Sequence, residues 1–294
     1  MPLFSIITPV FNRQDELRRA LGSLVAQTVT DFECLVVDDG SSMPIKPVVD
    51  EFDDRFKYVR SPINGGCTAA RFVGFEHVNG EIVAQLDSDN VFFPWALERA
   101  AGYLRDYPAA DGVAGLYVFP DGFHVRVSGG VREVGPDEFS ARAGQFDDSV
   151  GVVRRCVVDE WLSMRRYSNL DFVLWLRLRL SHPHLLVDEP WGIYDPTGTD
   201  RISLRRDPRA LDDFETFVKE FRPMIGAAPC GPVDAMLNRI WLGLIRAGRF
   251  KGAADVADWM HERGLSCKVA ASRELVHRAR RRVTPATAVV PQIL

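Results

Sequence analysis

Ile82-Val83-Ala84-Gln85-Leu86, followed at once by Asp87-Ser88-Asp89-Asn90, is a short apolar run that ends in two carboxylates one residue apart. Five residues with little polar alternation fit a strand covered on both faces, the kind found in parallel sheets. The two acids at its carboxyl end repel each other beside a low-dielectric core, which is a costly place for charge. Two readings account for them. One is a polar strand-to-helix turn in which Asp89 or Asn90 caps a helix near Phe93-Pro94. The other is a hard divalent cation, which takes oxygen ligands and shares its remaining positions with substrate phosphates.

Outward from this stretch the first hundred residues alternate strand and helix patterns. Leu3 to Thr8, Glu33 to Val37 and Phe56 to Val59 read as further buried strands. Asn12 stands before Leu17, Ala20, Leu21, Leu24 and Val25 at helical spacing, which predicts a capped amphipathic helix. Asn64-Gly65-Gly66 opens a second helix carrying Ala69, Ala70, Phe72, Val73 and Phe75, and a third runs from Pro94 to Leu104. This rhythm predicts an α/β domain whose mostly parallel sheet has helices on both faces. Ligands of such sheets bind beyond the carboxyl ends of the strands. Thr8-Pro9, Asp38-Asp39-Gly40 and Asp87-Ser88-Asp89 all fall there, and three clusters on one sheet edge point to a site.

Further along, Val113 to Phe119, Val125 to Val127, Val131 to Val134 and Val150 to Val153 read as short strands. Asn169 to Leu180 looks helical, Leu185 to Val187 is a strand, and Asp195 to Asp207 is a polar, Gly/Pro-punctuated loop. Beyond Pro208 the pattern is helical over Leu211 to Phe221, Val233 to Ala247 and Ala253 to Arg263, with Gly248 and Gly264 placed as C-caps. The expected domains are therefore 1–205 and a helical extension over 206–294. Arg278, Arg280, Arg281 and Arg282 lie on a helical pattern, open to two readings: a solvated or homodimer-facing helix, or contact with an anionic membrane surface.

Bulk properties are those of a globular chain: 294 residues, 46% hydrophobic and 26% charged. A net charge of −4 argues against a nucleic-acid partner. Five scattered cysteines without a C-x-x-C pair fit reduced thiols, and no stretch reaches the roughly 18 apolar residues of a transmembrane helix. With no leader-like pattern at Met1-Pro2-Leu3, the expected location is the cytoplasm, or the inner face of the membrane through the basic helix.

The order and spacing of five motifs resemble the family 2 glycosyltransferases over roughly residues 3 to 205. They are Ser5-Ile6-Ile7-Thr8-Pro9-Val10-Phe11-Asn12, Leu35-Val36-Val37-Asp38-Asp39-Gly40-Ser41-Ser42, Asn64-Gly65-Gly66-Cys67-Thr68-Ala69-Ala70-Arg71, Asp87-Ser88-Asp89, and Leu170-Asp171-Phe172-Val173-Leu174-Trp175-Leu176-Arg177-Leu178. The resemblance implies a GT-A fold and an inverting transferase of the hexosyltransferase type, using a nucleotide-sugar donor, a UDP-sugar first. It implies that Thr8, Pro9 and Phe11 hold the nucleotide and that Asp39 accepts the imide N–H of uracil. Arg71, whose planar charged fork suits phosphate or ribose, would lie near the nucleotide. Asp89 would bind Mn²⁺ or Mg²⁺ directly, with Asp87 on the ribose or the metal's water and Ser88 among the residues that bind the donor nucleotide. The cation would neutralise the departing nucleoside diphosphate.

Asp171 is the expected general base, since an acceptor hydroxyl attacking the anomeric carbon must lose its proton. The chain departs from the family in two places. Leu170 stands where relatives carry a first acid, and Tyr194 to Arg201 lacks the histidine many relatives place there; Asp195, Asp200 and Arg201 are equal candidates to replace it. His182 and His184 flank Pro183 and read as structural. No Gln-x-x-Arg-Trp occurs, which implies transfer of one sugar per encounter. Donor sugar and acceptor (glycan, glycolipid, peptide or small molecule) stay open. Two rival readings are a sugar-1-phosphate nucleotidyltransferase, disfavoured because Thr8 to Asn12 has no glycine, and a non-catalytic nucleotide-binding or scaffold protein.

Overall fold

The computed structural model describes residues 1–118, 130–134, 151–165, 181–195, 210–225, 237–238, 240–241, 244–245 and 247–265. The chain divides into two compact units, Met1–Phe139 with Gln145–Arg206, and Ser140–Gly144 with Asp207–Leu294.

The first unit holds a mixed, nine-stranded sheet. Its strands are β1 (Phe4–Val10), β2 (Phe32–Asp38), β3 (Phe56–Arg60), β4 (Ile82–Gln85), β5 (Val91–Phe92), β6 (Gly112–Val118), β7 (Val131–Val134), β8 (Gly151–Arg154) and β9 (His184–Ile193). The order is β3-β2-β1-β4-β8-β6-β9-β5, and β7 also pairs with β9. β1 to β4 are parallel to one another, and β8 enters antiparallel between β4 and β6. β6 and β9 run parallel, which restores the direction of β1 to β4.

Alternation along β1 assigns helices to the two faces. Phe4, Ile6 and Val10 join one core with Leu17, Ala20, Leu21 and Leu24 of α1 (Gln14–Val25) and with Ala96, Leu97, Ala100 and Leu104 of α4 (Ala96–Asp106). Asp15 and Glu16 in the first turn of α1 favour its dipole. α2 (Lys46–Val49) closes the same side through Val48 and Val49. On the opposite face Ile7 meets α3 (Cys67–Phe75): a Cβ on Gly74 would lie 2.7 Å from Ile7 Cγ2, so only glycine allows the helix this close. α5 (Arg155–Leu162) sets Trp161 against Phe75, ring centroids 5.4 Å apart.

Several boundaries differ from the sequence expectation. β1 continues past the expected end at Thr8 through Pro9 and Val10, because β2 keeps pairing with it as far as Val10↔Asp38. Pro9 is tolerated there because β4 stops pairing at Ile7↔Gln85, leaving a neighbour on one side only. β9 runs on through Asp188-Glu189-Pro190, since β5 and β6 pair with its second half. α5 and α2 were not expected at all. Asn12 does not cap α1. The capping position is Arg13, and Asn12 takes a left-handed conformation at φ 54°.

In the second unit, α6 (Ala210–Ile225) and α7 (Phe250–Glu262) pack through Phe217, whose ring lies 4.8 Å from Phe221 and 5.9 Å from Trp259. Arg222 pairs with Glu262. Leu237, Ile240 and Leu244 are helical and fully buried, at the spacing of one helix face. Gly248 and Gly264 have positive φ, as their C-cap positions require. The strand expected at Val125 to Val127, the helix at Asn169 to Leu180 and the basic helix around Arg278 to Arg282 lie outside the described residues.

Candidate active site

Register brings the polar clusters together. The Asp39 amide donates to Val10 O at 2.9 Å, and the Leu86 amide to Ile7 O at 3.0 Å. The chain therefore leaves β1, β2 and β4 on one edge of the sheet, into Phe11-Asn12-Arg13, Asp39-Gly40-Ser41 and Leu86 to Asn90.

Asp38 and Asp39 divide the work after β2. Asp38 is fully buried and turned to the fold: it accepts from the Ser41 amide at 2.8 Å and the Tyr58 hydroxyl at 2.7 Å, and it pairs with Arg60. Asp39 accepts from two successive amides, Gly65 to Oδ1 and Gly66 to Oδ2, each at 2.8 Å. That clamp needs its glycines. Gly66 sits at φ 95°, and a Cβ on Gly40 (φ 72°) would fall 2.8 Å from the Asn64 nitrogen. A carboxylate oxygen carries two lone pairs, so Asp39 keeps acceptor capacity beyond the two glycine amides.

The acids after β4 are matched by two arginines from different elements. Arg71 of α3 donates from Nη2 to Asp87 Oδ1 at 2.6 Å, with its side chain 3% exposed. Arg13 donates from Nη1 to Asp89 Oδ2. Ser88 between them is buried. The turn is closed by the Asn90 amide on Asp87 O at 3.0 Å, and Asn90 Oδ1 accepts from the Asp195 amide at 3.3 Å. Asp195, one of the candidates for the histidine's place, thus lies beside the Asp87–Asn90 turn and pairs with Arg19 at 3.1 Å. Asp200 and Arg201 lie outside the described residues, as does Asp171.

Thr8 and Pro9 sit inside the strand and not on the loop beyond it. Thr8 is fully buried, its hydroxyl 3.7 Å from the Cys34 thiol on the sheet face shared with α1. Burial drives that thiol up to about 12, so it stays protonated. Phe11, the first residue past β1, is half-buried at the edge. One residue, Arg13, went unnoticed in the sequence, and the role of another, Asn12, was read differently. Arg13 reaches Asp89 across a separation of 76 residues. Asn12 braces the neighbouring loop, its Oδ1 accepting from the Ser42 amide, the Ser42 hydroxyl and the Met43 amide at 2.9, 3.1 and 3.0 Å. The one available signal was position: both follow the first strand directly.

Asp87 and Asp89 suit a hard cation as oxygen donors, and each carboxylate has more lone pairs than one guanidinium bond occupies. Among the described residues no group of three or more His, Cys, Asp or Glu is arranged to hold a metal, so these two would share the ion with ligands from elsewhere. No helix among the described residues is long and apolar enough to cross a membrane.

Residues 5–141 match the sequence profile of the family described as Glycosyl transferase family 2. The succinoglycan biosynthesis protein ExoW of Rhizobium meliloti is 39% identical over 116 residues, 37% of this chain and 36% of that protein. An uncharacterized glycosyltransferase of Rickettsia prowazekii is 34% identical over 104 residues, 35% of this chain and 32% of that protein. The matched span is thus about a third of the length of these relatives. In three dimensions the chain resembles S. aureus TarS (residues 1–349) in complex with UDP-GlcNAc, at a TM-score of 0.74 and 18% identity, covering 95% of this chain and 87% of that one. The UDP complex of the same protein gives 0.72 at 16% identity, covering 98% and 94%. These likenesses establish a shared fold.

Proposed function

We propose that this chain, whose residues 5–141 belong to glycosyl transferase family 2, moves a sugar from a nucleotide-sugar donor to an acceptor hydroxyl with inversion. The observation that carries this reading is the set of two acid–arginine pairs, Asp87–Arg71 and Asp89–Arg13, at the edge where β1, β2 and β4 end. Two acids and two cations suit a pyrophosphate with its metal, because each charge has a partner of opposite sign. Asp39 beside them offers acceptor capacity to a base N–H. The UDP complexes of TarS, which has the same fold, favour a UDP-sugar.

Asp89 and Asp87 would hold Mn²⁺ or Mg²⁺, which when bound supplies charge neutralisation of the pyrophosphate. Arg71 orients the nucleotide from its buried seat on α3. Asp171 takes the proton of the acceptor hydroxyl. That oxygen bonds to the anomeric carbon as the bond from carbon to phosphate oxygen breaks on the opposite face, and the nucleoside diphosphate leaves with the electron pair. One sugar is transferred per encounter, to a glycan, glycolipid, peptide or small molecule. We assign the reaction to the cytoplasm, in keeping with the reduced thiols of Cys34 and Cys156.

The test is release of nucleoside diphosphate from a panel of nucleotide sugars with Mn²⁺, on wild type and on Asp89→Asn. Turnover with at least one sugar, lost in Asp89→Asn, is expected. Absence of both turnover and nucleotide-induced thermal stabilisation across the panel would overturn the reading.

A further inference from the structure

The two arginines at the end of β4 are not equivalent. Arg71 is 3% exposed and anchored on a helix packed against the sheet, so drawing it away from Asp87 would strand a buried charge. Arg13 is 21% exposed, Asp89 is 15% exposed, and Arg13 stands on the loop where β1 turns into α1. Arg13 is the more accessible of the two guanidiniums, so water or a phosphate can reach it in place, and drawing it off its acid costs less than drawing off Arg71. Position within the loop is nonetheless fixed. Asn12 is held at φ 54° by the three donors of Ser42 and Met43, and its own amide donates to Ser41 Oγ at 3.0 Å. The residue that follows is thereby aimed at the edge where Asp89 lies.

Charge counting gives this arrangement a consequence. Within each pair, Asp87 with Arg71 and Asp89 with Arg13, one negative charge already faces one positive charge before any ligand arrives. A divalent cation alone on Asp89 would place two positive charges beside Arg13, and like charges within a few ångströms disfavour binding. A metal that arrives with a pyrophosphate brings two negative charges as well, and phosphate oxygens are better acceptors for the released guanidinium than water.

We propose that Arg13 is the resident counter-ion of Asp89, exchanged for the metal when the donor binds, so that metal affinity depends on the nucleotide. This rests on the reading of Asp89 as a metal ligand. Arg13 acts as a gate on loading: it balances the charge of the Asp89 carboxylate in the free protein and makes metal and nucleotide bind as a coupled pair. Coupling of this kind is reciprocal, so Mn²⁺ raises affinity for UDP by the factor by which UDP raises affinity for Mn²⁺.

The experiment is a titration of the full chain with Mn²⁺, read by the spin-resonance signal of free Mn²⁺, with and without saturating UDP. Wild type, Arg13→Gln, Arg13→Lys and Asp89→Asn are compared. In Arg13→Gln, Mn²⁺ alone should bind about tenfold tighter than in wild type, because a facing positive charge is gone. The enhancement by UDP should shrink by a similar factor, and Arg13→Lys, which keeps the charge, should behave as wild type. If Asp89→Asn abolishes Mn²⁺ binding while Arg13→Gln binds Mn²⁺ alone no tighter than wild type, the exchange is wrong and the metal site stands. If Asp89→Asn binds Mn²⁺ as well as wild type, both fall. Circular dichroism on Arg13→Gln separates loss of the charge from loss of the loop.

Discussion

Arg71 on α3 donates through Nη2 to Oδ1 of Asp87, 2.6 Å away, and so fastens a helix on one face of the sheet to the loop that leaves β4. A guanidinium this buried beside a carboxylate that is only 26% exposed makes the pair structural as well as functional. Arg71→Ala should cost about 3 kcal/mol, the low end of the range for breaking a buried pair, because water reaches Asp87. Urea denaturation measures it. Arg71→Lys should recover part of the stability and little of the nucleotide affinity, since a point charge does not replace the fork.

Asp39→Asn tests the glycine clamp. One amide oxygen can serve either Gly65 or Gly66, and the side-chain NH₂ then faces the other backbone N–H. The expected loss is about 1–3 kcal/mol of stability, the cost of an unmet buried donor, together with weaker UDP binding. An unchanged denaturation midpoint would show that the clamp contributes nothing.

A pH effect should come from His182, whose ring nitrogens lie 2.9 Å from Asp111 Oδ2 and 2.7 Å from Glu160 Oε2. A neutral imidazole has one donor, so only the charged ring can donate to both acids. Burial by itself would lower its pKa, but the hydrogen bonds to Glu160 and Asp111 outweigh this and raise it above the ordinary value. The sign follows. This contribution is full below about pH 6.5, the unfolded value, and is lost as pH rises through the higher folded value. Stability measured across that window should fall in wild type, and the fall should flatten in His182→Gln.

Gly115→Ala should be destabilising although it adds one methyl. The new Cβ would sit 2.3 Å from Trp191 Cδ2, and Trp191 is buried in the core between β6 and β9. Overpacking of this kind costs about 1–3 kcal/mol. Thermal melting shows whether the indole gives way.

Much of the first unit could be read from the chain because its strands are two-sided apolar runs with polar ends. Ile82 to Leu86 and Glu33 to Val37 needed no partner to be recognised, and the strands run over Ile82–Gln85 and Phe32–Asp38. Strand order was not readable: nothing in Gly151-Val152-Val153-Arg154 says that it enters antiparallel between β4 and β6, since periodicity reports a face and not a neighbour. The first strand was ended at Thr8 because the proline that follows looks like an ending, and continued pairing with β2 overrode that preference. Asn12 was taken for a cap because asparagine before an amphipathic run is one in many helices; here its side chain meets donors from residues 42 and 43, which only the fold brings near.

The sequence by itself determined the alternation of strands and helices, the polar clusters at the strand ends and the residue types for phosphate and metal chemistry. These are properties of neighbours along the chain, where a period of two or of 3.6 residues is written locally. Tertiary structure alone decided the partnerships. Arg13 with Asp89, Arg71 with Asp87, and Asp39 with the Gly65 and Gly66 amides link positions 76, 16 and 26 or 27 residues apart. Charge pairs form across whatever distance in sequence the packed sheet closes, because Coulomb attraction and hydrogen bonding depend on separation in space.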